Sequence, residues 1–377
     1  MRPLEGLELI MSLDRSFWEG KRVLVTGHTG FKGGWLVQWL DHLGANVSGI
    51  GLEASTNPSL FKSAKIHQFC DSNIGDIRDL EFLRSTITKF DPEIVFHLAA
   101  QPLVRYGYDH PLETFSTNVM GTANLLAVLR NREHLKACVV ITTDKVYENQ
   151  EWAFPYRETD PLGGYDPYSA SKASSELVAN CFNQSYFAKN GIAISTARAG
   201  NVIGGGDWSL DRLIPDAITA WKEVQKIEVR QPNSIRPWQH VLEPLYGYMK
   251  LVERSWLNPA LSGPYNFGPN TNEIATVSQL LEMARKDFGV GSDLVEYRHY
   301  GDLKHETKLL ALEIAKTSSV LGVKPLWDIG KAIQRTTQWY REYFNGVDPV
   351  QLCKADIDVY EKNINERDLY IQGSPQL

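Results

Sequence analysis

The chain has 377 residues, enough for one large domain or two of ordinary size, and its 43% hydrophobic and 22% charged residues are those of a globular fold in water. A formal net charge of -6 argues against nucleic acid as a general partner, while leaving room for a local basic pocket that holds a diphosphate. Four cysteines without a Cys-x-x-Cys pair and nine histidines without a His-x-x-x-His pair offer no disulfide framework and no metal spacing, so no metal and a reducing, cytoplasmic setting are expected.

The first apolar stretch, Leu7 to Met11, is short, carries Glu8 and is followed by Asp14, which makes it a poor signal peptide and too short for a bilayer. Patterned sequence begins near Phe17, so residues 1–16 read as an extension, with Met11 as an alternative start. Val23-Leu24-Val25 is the first strand signal, and it feeds the glycine-rich turn Gly27-His28-Thr29-Gly30-Phe31-Lys32-Gly33. An amphipathic stretch from Phe31 to Leu43 follows, giving the strand-turn-helix setting that a dinucleotide fingerprint requires. Glycine lets backbone amides approach a pyrophosphate, and a helix start adds unpaired N–H groups and the positive end of a dipole, so the anion needs no basic side chain. Gly27, Thr29, Gly30, Phe31, Lys32 and Gly33 are therefore the candidate phosphate cradle.

The second strand signal, Val47-Ser48-Gly49-Ile50, ends in Gly51-Leu52-Glu53-Ala54-Ser55, with no arginine or lysine to meet a 2′-phosphate. NAD rather than NADP is expected, with Glu53 either a ribose ligand or a solvated turn residue. Further β-branched runs, Ile94–Leu98, Ala137–Ile141 and Ile192–Ser195, alternate with helical patterns, the signature of a parallel doubly wound sheet. Such sheets bind ligands beyond the carboxyl ends of their strands, where Ala99-Ala100-Gln101 and Thr142-Thr143-Asp144-Lys145 stand here. The expected architecture is α/β: a Rossmann-type, NAD-binding domain over residues 17–200. From Asn201 the chain turns Gly-rich and Pro-punctuated, and residues 201–360 read as a smaller mixed α/β lobe that binds substrate. No linker separates the two parts, so segments of the lobe are free to return to the sheet. Residues 361–377 read as a second extension.

Tyr168 and Lys172, in Tyr168-Ser169-Ala170-Ser171-Lys172, are one helical turn apart and project from the same face. A phenol titrates at about 10, so it serves as a base near neutrality only where a positive charge favours the phenolate. Lys172 is placed to supply that charge, and an oxidised nicotinamide would add to it. Tyr-x-x-x-Lys by itself is common on helix surfaces. Behind a glycine-rich turn and Thr143-Asp144-Lys145, in that order, it describes a hydride-transfer site.

These segments resemble the extended short-chain dehydrogenase/reductase family over residues 17–345, through Gly27-x-x-Gly30-x-x-Gly33, Asp76-Ile77 after a third strand, His97-Leu98-Ala99-Ala100 and Tyr168-x-x-x-Lys172. Within that family, the runs from Gly27 to Trp35, Thr143 to Tyr147, Asn201 to Trp208 and Arg236 to Val241 resemble the nucleotide-sugar 4,6-dehydratases, in the subgroup that acts on CDP-glucose. The resemblance implies NAD contacted by Asp76, Ile77, Ala99, Ala100, Gln101, Tyr168 and Lys172 beside the cradle. It implies catalysis by Thr143, Asp144, Lys145, Tyr168 and Lys172, with Asp144 as the acid. It places a nucleotide-sugar diphosphate against Arg212 and Arg236, each of which is otherwise a surface ion-pair partner, and assigns Asn201 to orienting the sugar or diphosphate. Trp208 and Trp238 either pack near the nucleotide base or are plain core, and His240 is structural. The dTDP-glucose enzymes carry Thr-Asp-Glu, whose glutamate removes the C5 proton, where this chain has Lys145. Lys145 is then either the C5 base, its pKa lowered by desolvation and by Lys172, or a cation that steadies the enolate. The family also implies a homodimer or homotetramer built on the Tyr168 helix through Leu177-Val178-Ala179, a role in making the deoxysugars of surface polysaccharide such as O-antigen, and neither nucleic acid nor membrane as partner.

Two rival readings share parts of this pattern. A 4-epimerase or simple dehydrogenase would use Tyr168 and Lys172 but needs no acid/base pair for elimination, so Asp144-Lys145 speaks against it. A binding protein that senses NAD without catalysis would have no need of the Tyr168/Lys172 pair.

Overall fold

A computed structural model describes residues 12–229, 231–271, 273, 275–297 and 310–373; the stretch Leu7–Met11 lies outside them. The strands are β1 Arg22–Thr26, β2 Asn46–Gly51, β3 Asp71–Ile74, β4 Ile94–His97, β5 Ala137–Ile141, β6 Ala193–Ala199, β7 Val202–Ile203, β8 Ile227–Val229, β9 Ile235–Arg236, β10 Gln239–His240, β11 Pro264–Phe267, β12 Ala275–Thr276 and β13 Val295–Tyr297. The main sheet joins seven of them in the order β11-β6-β5-β4-β1-β2-β3. Every pair in it is parallel, so all the carboxyl ends open on one side. Val23, Leu24 and Val25 are all buried, as they must be in a strand covered by helices on both faces.

One helical layer is built from Phe31–His42, Leu242–Leu257 and Pro349–Gly373, whose Trp35, Trp39, Tyr246 and Tyr360 pack with Val23 and Val25. The other contains Leu80–Phe90, Gly121–Leu129 and Pro167–Phe182, with Leu83, Ile87, Leu125 and Ala179 against Leu24 and Val95. The chain leaves β1 toward β2 and β3, then crosses back to β4, so the order reverses between β1 and β4 and opens a crevice beyond Gly27 and Leu98.

The layers do not follow a division after residue 200. β11 completes the sheet beside β6, and Leu242–Leu257 packs beneath it, while the pairs β7·β10, β8·β13 and β9·β12 with helices Leu213–Lys222 and Val277–Phe288 make up the smaller lobe. Nor are the described parts of the two expected extensions loose tails. Asp14 caps the short helix Arg15–Trp18, accepting from the Ser16 and Phe17 amides. Trp18 Nε1 donates to Glu253 at 2.8 Å, and residues beyond 360 continue a helix in which Glu361 accepts from Trp39 Nε1 at 2.7 Å. Apolar spacing along Leu352, Ile357, Tyr360 and Ile364, all buried, is what holds that helix to the core. No helix among the described residues is long and apolar enough to cross a membrane.

Candidate active site

The carboxyl ends of the sheet and the smaller lobe enclose a cavity of about 1380 Å³. That exceeds the roughly 300–1,000 Å³ of a single small-molecule site and leaves room for two ligands end to end.

At one end lies the glycine turn. Gly27 has φ +77°, and a Cβ there would come 2.7 Å from the Ala99 amide nitrogen; a Cβ on Gly33 would come 2.1 Å from the Gly27 carbonyl oxygen. Only hydrogen fits at either position. Gly30 stands at the N-cap of Phe31–His42 and offers no side chain to the first helical N–H groups, which are left for an anion. Thr29, Gly30, Phe31 and Lys32 line the cavity here, with exposed Glu53, Asp76, Ile77, Ala99, Ala100 and Gln101 farther along. A dinucleotide therefore fits this end on the steric demand of its glycines and the uncapped helix start. His97 lies beneath it, not in it. Buried and held neutral, its pKa pushed down to about 3 by desolvation, it meets the Thr26 hydroxyl at 2.7 Å and that of Thr122 at 3.0 Å. Thr26 Oγ1 accepts in turn from the Ala99 amide at 3.1 Å, which sets the loop after β4.

In the middle of the cavity the turn after β5 meets the helix Pro167–Phe182. Asp166 caps that helix, accepting from the Ser169 amide at 3.0 Å, which fixes the start of the turn that carries Tyr168. The Thr143 hydroxyl sits between Asp144, to whose Oδ1 it donates at 3.0 Å, and Tyr168. Asp144 is 2% exposed, and its Oδ2 has no hydrogen-bond partner among the described residues. Burial raises its pKa against the pull of Lys145, Thr143, Arg236 and Lys32, which favours the protonated acid. Burial also raises the Tyr168 phenol, and what opposes burial is first the Thr143 hydroxyl and then the charge of Arg212. Lys172 is buried with Nζ donating to the Ile141 carbonyl at 2.8 Å, and desolvation draws its own pKa down to about 8. Burial thus works against the charged form of both groups.

At the far end, Asn201, Arg212, Arg236 and Trp238 line the cavity. Arg212 stands at the head of Leu213–Lys222, and Arg236 in β9 is paired to β12. Trp238 is 7% exposed, with its indole N–H unpaired among the described residues. Trp208 does not line the cavity: its ring stands edge-on to Tyr340 at 5.2 Å and packs beside Tyr343 and Phe344. A tryptophan after Gly-Gly-Asp marked the right loop but turns outward to the helix Ile329–Phe344. Trp208→Ala is accordingly expected to cost about 3 kcal/mol in unfolding free energy while leaving the substrate KM unchanged. His240 is buried and stacks edge-on to Trp327 at 4.9 Å, a core residue.

Several residues carry the site without any signal in the sequence. Asn118, inside the π-helical turn Ser116–Met120, accepts from the Gln101 amide at 2.8 Å and donates to the Ser171 hydroxyl at 2.8 Å, tying the loop after β4 to the Tyr168 helix. Arg78 lines the dinucleotide end but is folded onto Asp76, with Nη2 2.6 Å from Oδ2, so this basic side chain is already paired with a carboxylate.

An all-parallel sheet, a glycine cradle at its switch point and Tyr168 with Lys172 on a following helix define a Rossmann-type dinucleotide enzyme. A family model described as GDP-mannose 4,6 dehydratase matches residues 24–336. A CDP-glucose 4,6-dehydratase of Salmonella typhimurium is 46% identical over 355 residues, covering 92% of this chain and 98% of the relative. A dTDP-glucose 4,6-dehydratase of Streptomyces antibioticus is 32% identical over 270 residues, covering 71% of this chain and 75% of the relative. Among solved structures, a dTDP-glucose 4,6-dehydratase from Streptomyces venezuelae, with NAD bound, matches with a TM-score of 0.73 and 24% identity, covering 87% of this chain and 99% of that one, and supports the fold. The chain belongs to the GDP-mannose 4,6 dehydratase family of nucleotide-sugar enzymes.

Proposed function

We propose that this protein is a CDP-glucose 4,6-dehydratase, a hydro-lyase that converts CDP-glucose to CDP-4-keto-6-deoxyglucose and water. The observation that carries the reading is the buried Asp144, its Oδ2 unpaired, beside Thr143, Tyr168 and Lys145 in one cavity. An epimerase needs the tyrosine but not a protonated carboxylic acid next to it. The relative with 46% identity favours the cytidine nucleotide.

Residues 27–33, with Glu53, Asp76, Ile77 and Ala99–Gln101, hold NAD, and residues from Asn201 to Trp238 hold the nucleotide sugar. NAD held there would supply a hydride acceptor for C4 of the sugar and a donor for C6, so deuterium placed at C4 of the substrate is expected at C6 of the same product molecule by NMR. Tyr168 takes the proton of the C4 hydroxyl while Thr143 hydrogen-bonds the same oxygen. The resulting ketone acidifies C5–H. Lys145 either removes that proton or, as a cation, steadies the enolate while water takes the proton; Asp144 protonates the C6 hydroxyl, the C6–O bond breaks and water leaves, and C5 takes a proton back as hydride reaches C6. Arg212 and Arg236 neutralise the diphosphate. Gly33→Ala would force its Cβ into the Gly27 carbonyl, and the rise in melting temperature that NAD gives the parent is expected to vanish in a thermal-shift assay.

The reading is tested by incubating the protein with CDP-glucose, dTDP-glucose and GDP-mannose and following the alkaline absorbance of a 4-keto-6-deoxy product. Preference for CDP-glucose supports it; conversion to a 4-epimer without loss of water sinks it. The product would feed the cytoplasmic synthesis of deoxysugars for surface polysaccharide. The exposed Leu112, Met120 and Leu177, on neighbouring helices of one layer, are the contact between copies in a homodimer or homotetramer. Leu177→Glu is expected to shift the sedimenting species to monomer.

A further inference from the structure

One more turn along the helix face of Tyr168 and Lys172 stands Glu176, and it is buried at 4% exposure. Arg198 on β6, 2% exposed, grips it with a fork: Nε lies 3.0 Å from Oε1 and Nη2 2.9 Å from Oε2. The Thr142 and Thr196 hydroxyls donate to the same carboxylate, each at 2.5 Å. Arg198 Nη1 also donates to the Tyr147 hydroxyl at 2.8 Å, and Tyr147 donates to Asn266 at 2.6 Å. Thr142 leads directly into Thr143 and Asp144. A single carboxylate thus joins the helix that carries Tyr168 and Lys172 to the strand end that carries Thr143 and Asp144.

Such a pair is a poor device for stability alone, because the cost of taking two charges out of water commonly cancels their attraction, and apolar residues of the same volume do as well. Its position gives it another use. Lys172 hydrogen-bonds an uncharged carbonyl, burial works against its charge, and Glu176 is the anion that works for it. The other titratable groups around Lys172 offer no such help: His97 on β4 is neutral, Lys32 on the helix Phe31–His42 is a base drawn down to about 7, Arg198 is the cation bound to Glu176 itself, and Tyr168 is the group to be served.

We propose that Glu176, clamped by Arg198, is a positioning residue for the reaction: one helical turn beyond Lys172 and hydrogen-bonded by Thr142, it fixes the helix that carries Tyr168 and Lys172 against the strand end that carries Thr143 while touching neither substrate nor cofactor. Its negative charge, one turn from Lys172, favours the ammonium form there. The role rests on the reading that Tyr168 performs the first proton transfer, and its test keeps the two apart. Glu176→Gln retains the shape and the hydrogen-bonding atoms without the charge. In full-length protein labelled with 13Cε-lysine, the Lys172 resonance, assigned by its loss in Lys172→Met, is expected to titrate about one pH unit lower in Glu176→Gln than in the parent. The alkaline limb of kcat on CDP-glucose is expected to move down by the same interval with KM unchanged. Should Glu176→Gln fail to fold, Arg198→Gln takes the guanidinium from the carboxylate, and the Lys172 resonance is then expected to titrate higher than in the parent. A Lys172 titration that does not move overturns the proposal even where kcat falls, since that is the result of a merely structural pair, and failure of both variants to fold also overturns it. A parent that leaves CDP-glucose untouched but whose Lys172 shifts in the variant would refute the assigned reaction and leave the positioning role standing.

Discussion

Tyr168→Phe is expected to fold as the parent does and to lose about 10²–10⁴-fold of its turnover on CDP-glucose, the usual cost of removing one acid/base catalyst. The substitution deletes a hydroxyl that faces the cavity and leaves the ring, which packs at the head of a helix already capped by Asp166. Circular dichroism and the melting temperature should therefore match the parent. The loss belongs to the first chemical step. With CDP-glucose in heavy water, the parent exchanges the C5 proton of the sugar once the ketone has formed, and Tyr168→Phe should show neither exchange nor product. Exchange at the parent's rate would mean that the C4 ketone forms without Tyr168. The pH dependence carries a sign. Burial raises the Tyr168 phenol above its ordinary value in the protein alone, so the base form is the scarce one. Formation of the C4 ketone, the step that Tyr168 serves, should rise with pH through the acid limb until Lys172, drawn down to about 8, begins to lose its charge.

Much of this site can be read from residue types because its chemistry depends on backbone shape and on neighbours in sequence. Gly27 and Gly33 are forced by the approach of Ala99 and of the chain to itself, and that demand shows as a glycine spacing. Tyr168 and Lys172 share a helix face, and helical geometry carries them together. The parts that escaped the sequence are contacts between segments far apart. Asn118 sits in an ordinary helical pattern and becomes functional only because the π-helical turn aims it at Gln101 and Ser171. Arg198 and Glu176 are 22 residues apart and meet only when the helix Pro167–Phe182 packs on β6. Trp208 could be read from its motif as lying near the nucleotide base or as core, and the aromatic face of Ile329–Phe344 takes the side chain. The division after residue 200 left segments of the lobe free to return to the sheet without naming β11, since Pro-Tyr-Asn-Phe, with a polar residue inside it, lacks the continuous apolar run of a strand covered on both faces.

Asp144→Asn is expected to separate oxidation from water loss. Asparagine keeps the size of the side chain and can still accept from Thr143, but it has no proton to give to the C6 hydroxyl. Formation of the C4 ketone should survive, elimination should slow by about 10²–10⁴-fold, and the 4-keto sugar that still carries its C6 hydroxyl should accumulate, where borohydride quenching would trap it. In the parent the same argument gives a direction for pH. An acid whose pKa is raised by burial remains protonated further up the scale than an ordinary carboxyl group, and elimination should fall as pH rises through that raised value. Lys145 is then decided by two substitutions. If it removes the C5 proton, Lys145→Met and Lys145→Arg should both abolish exchange of C5–H with solvent, because arginine is too basic to accept a proton near neutrality. If it acts as a fixed cation beside the enolate, arginine should restore most of the turnover that methionine loses. Near-normal turnover in Lys145→Arg rules out the base, and loss of C4 oxidation in Asp144→Asn would show that this carboxyl serves the first step as well as the second.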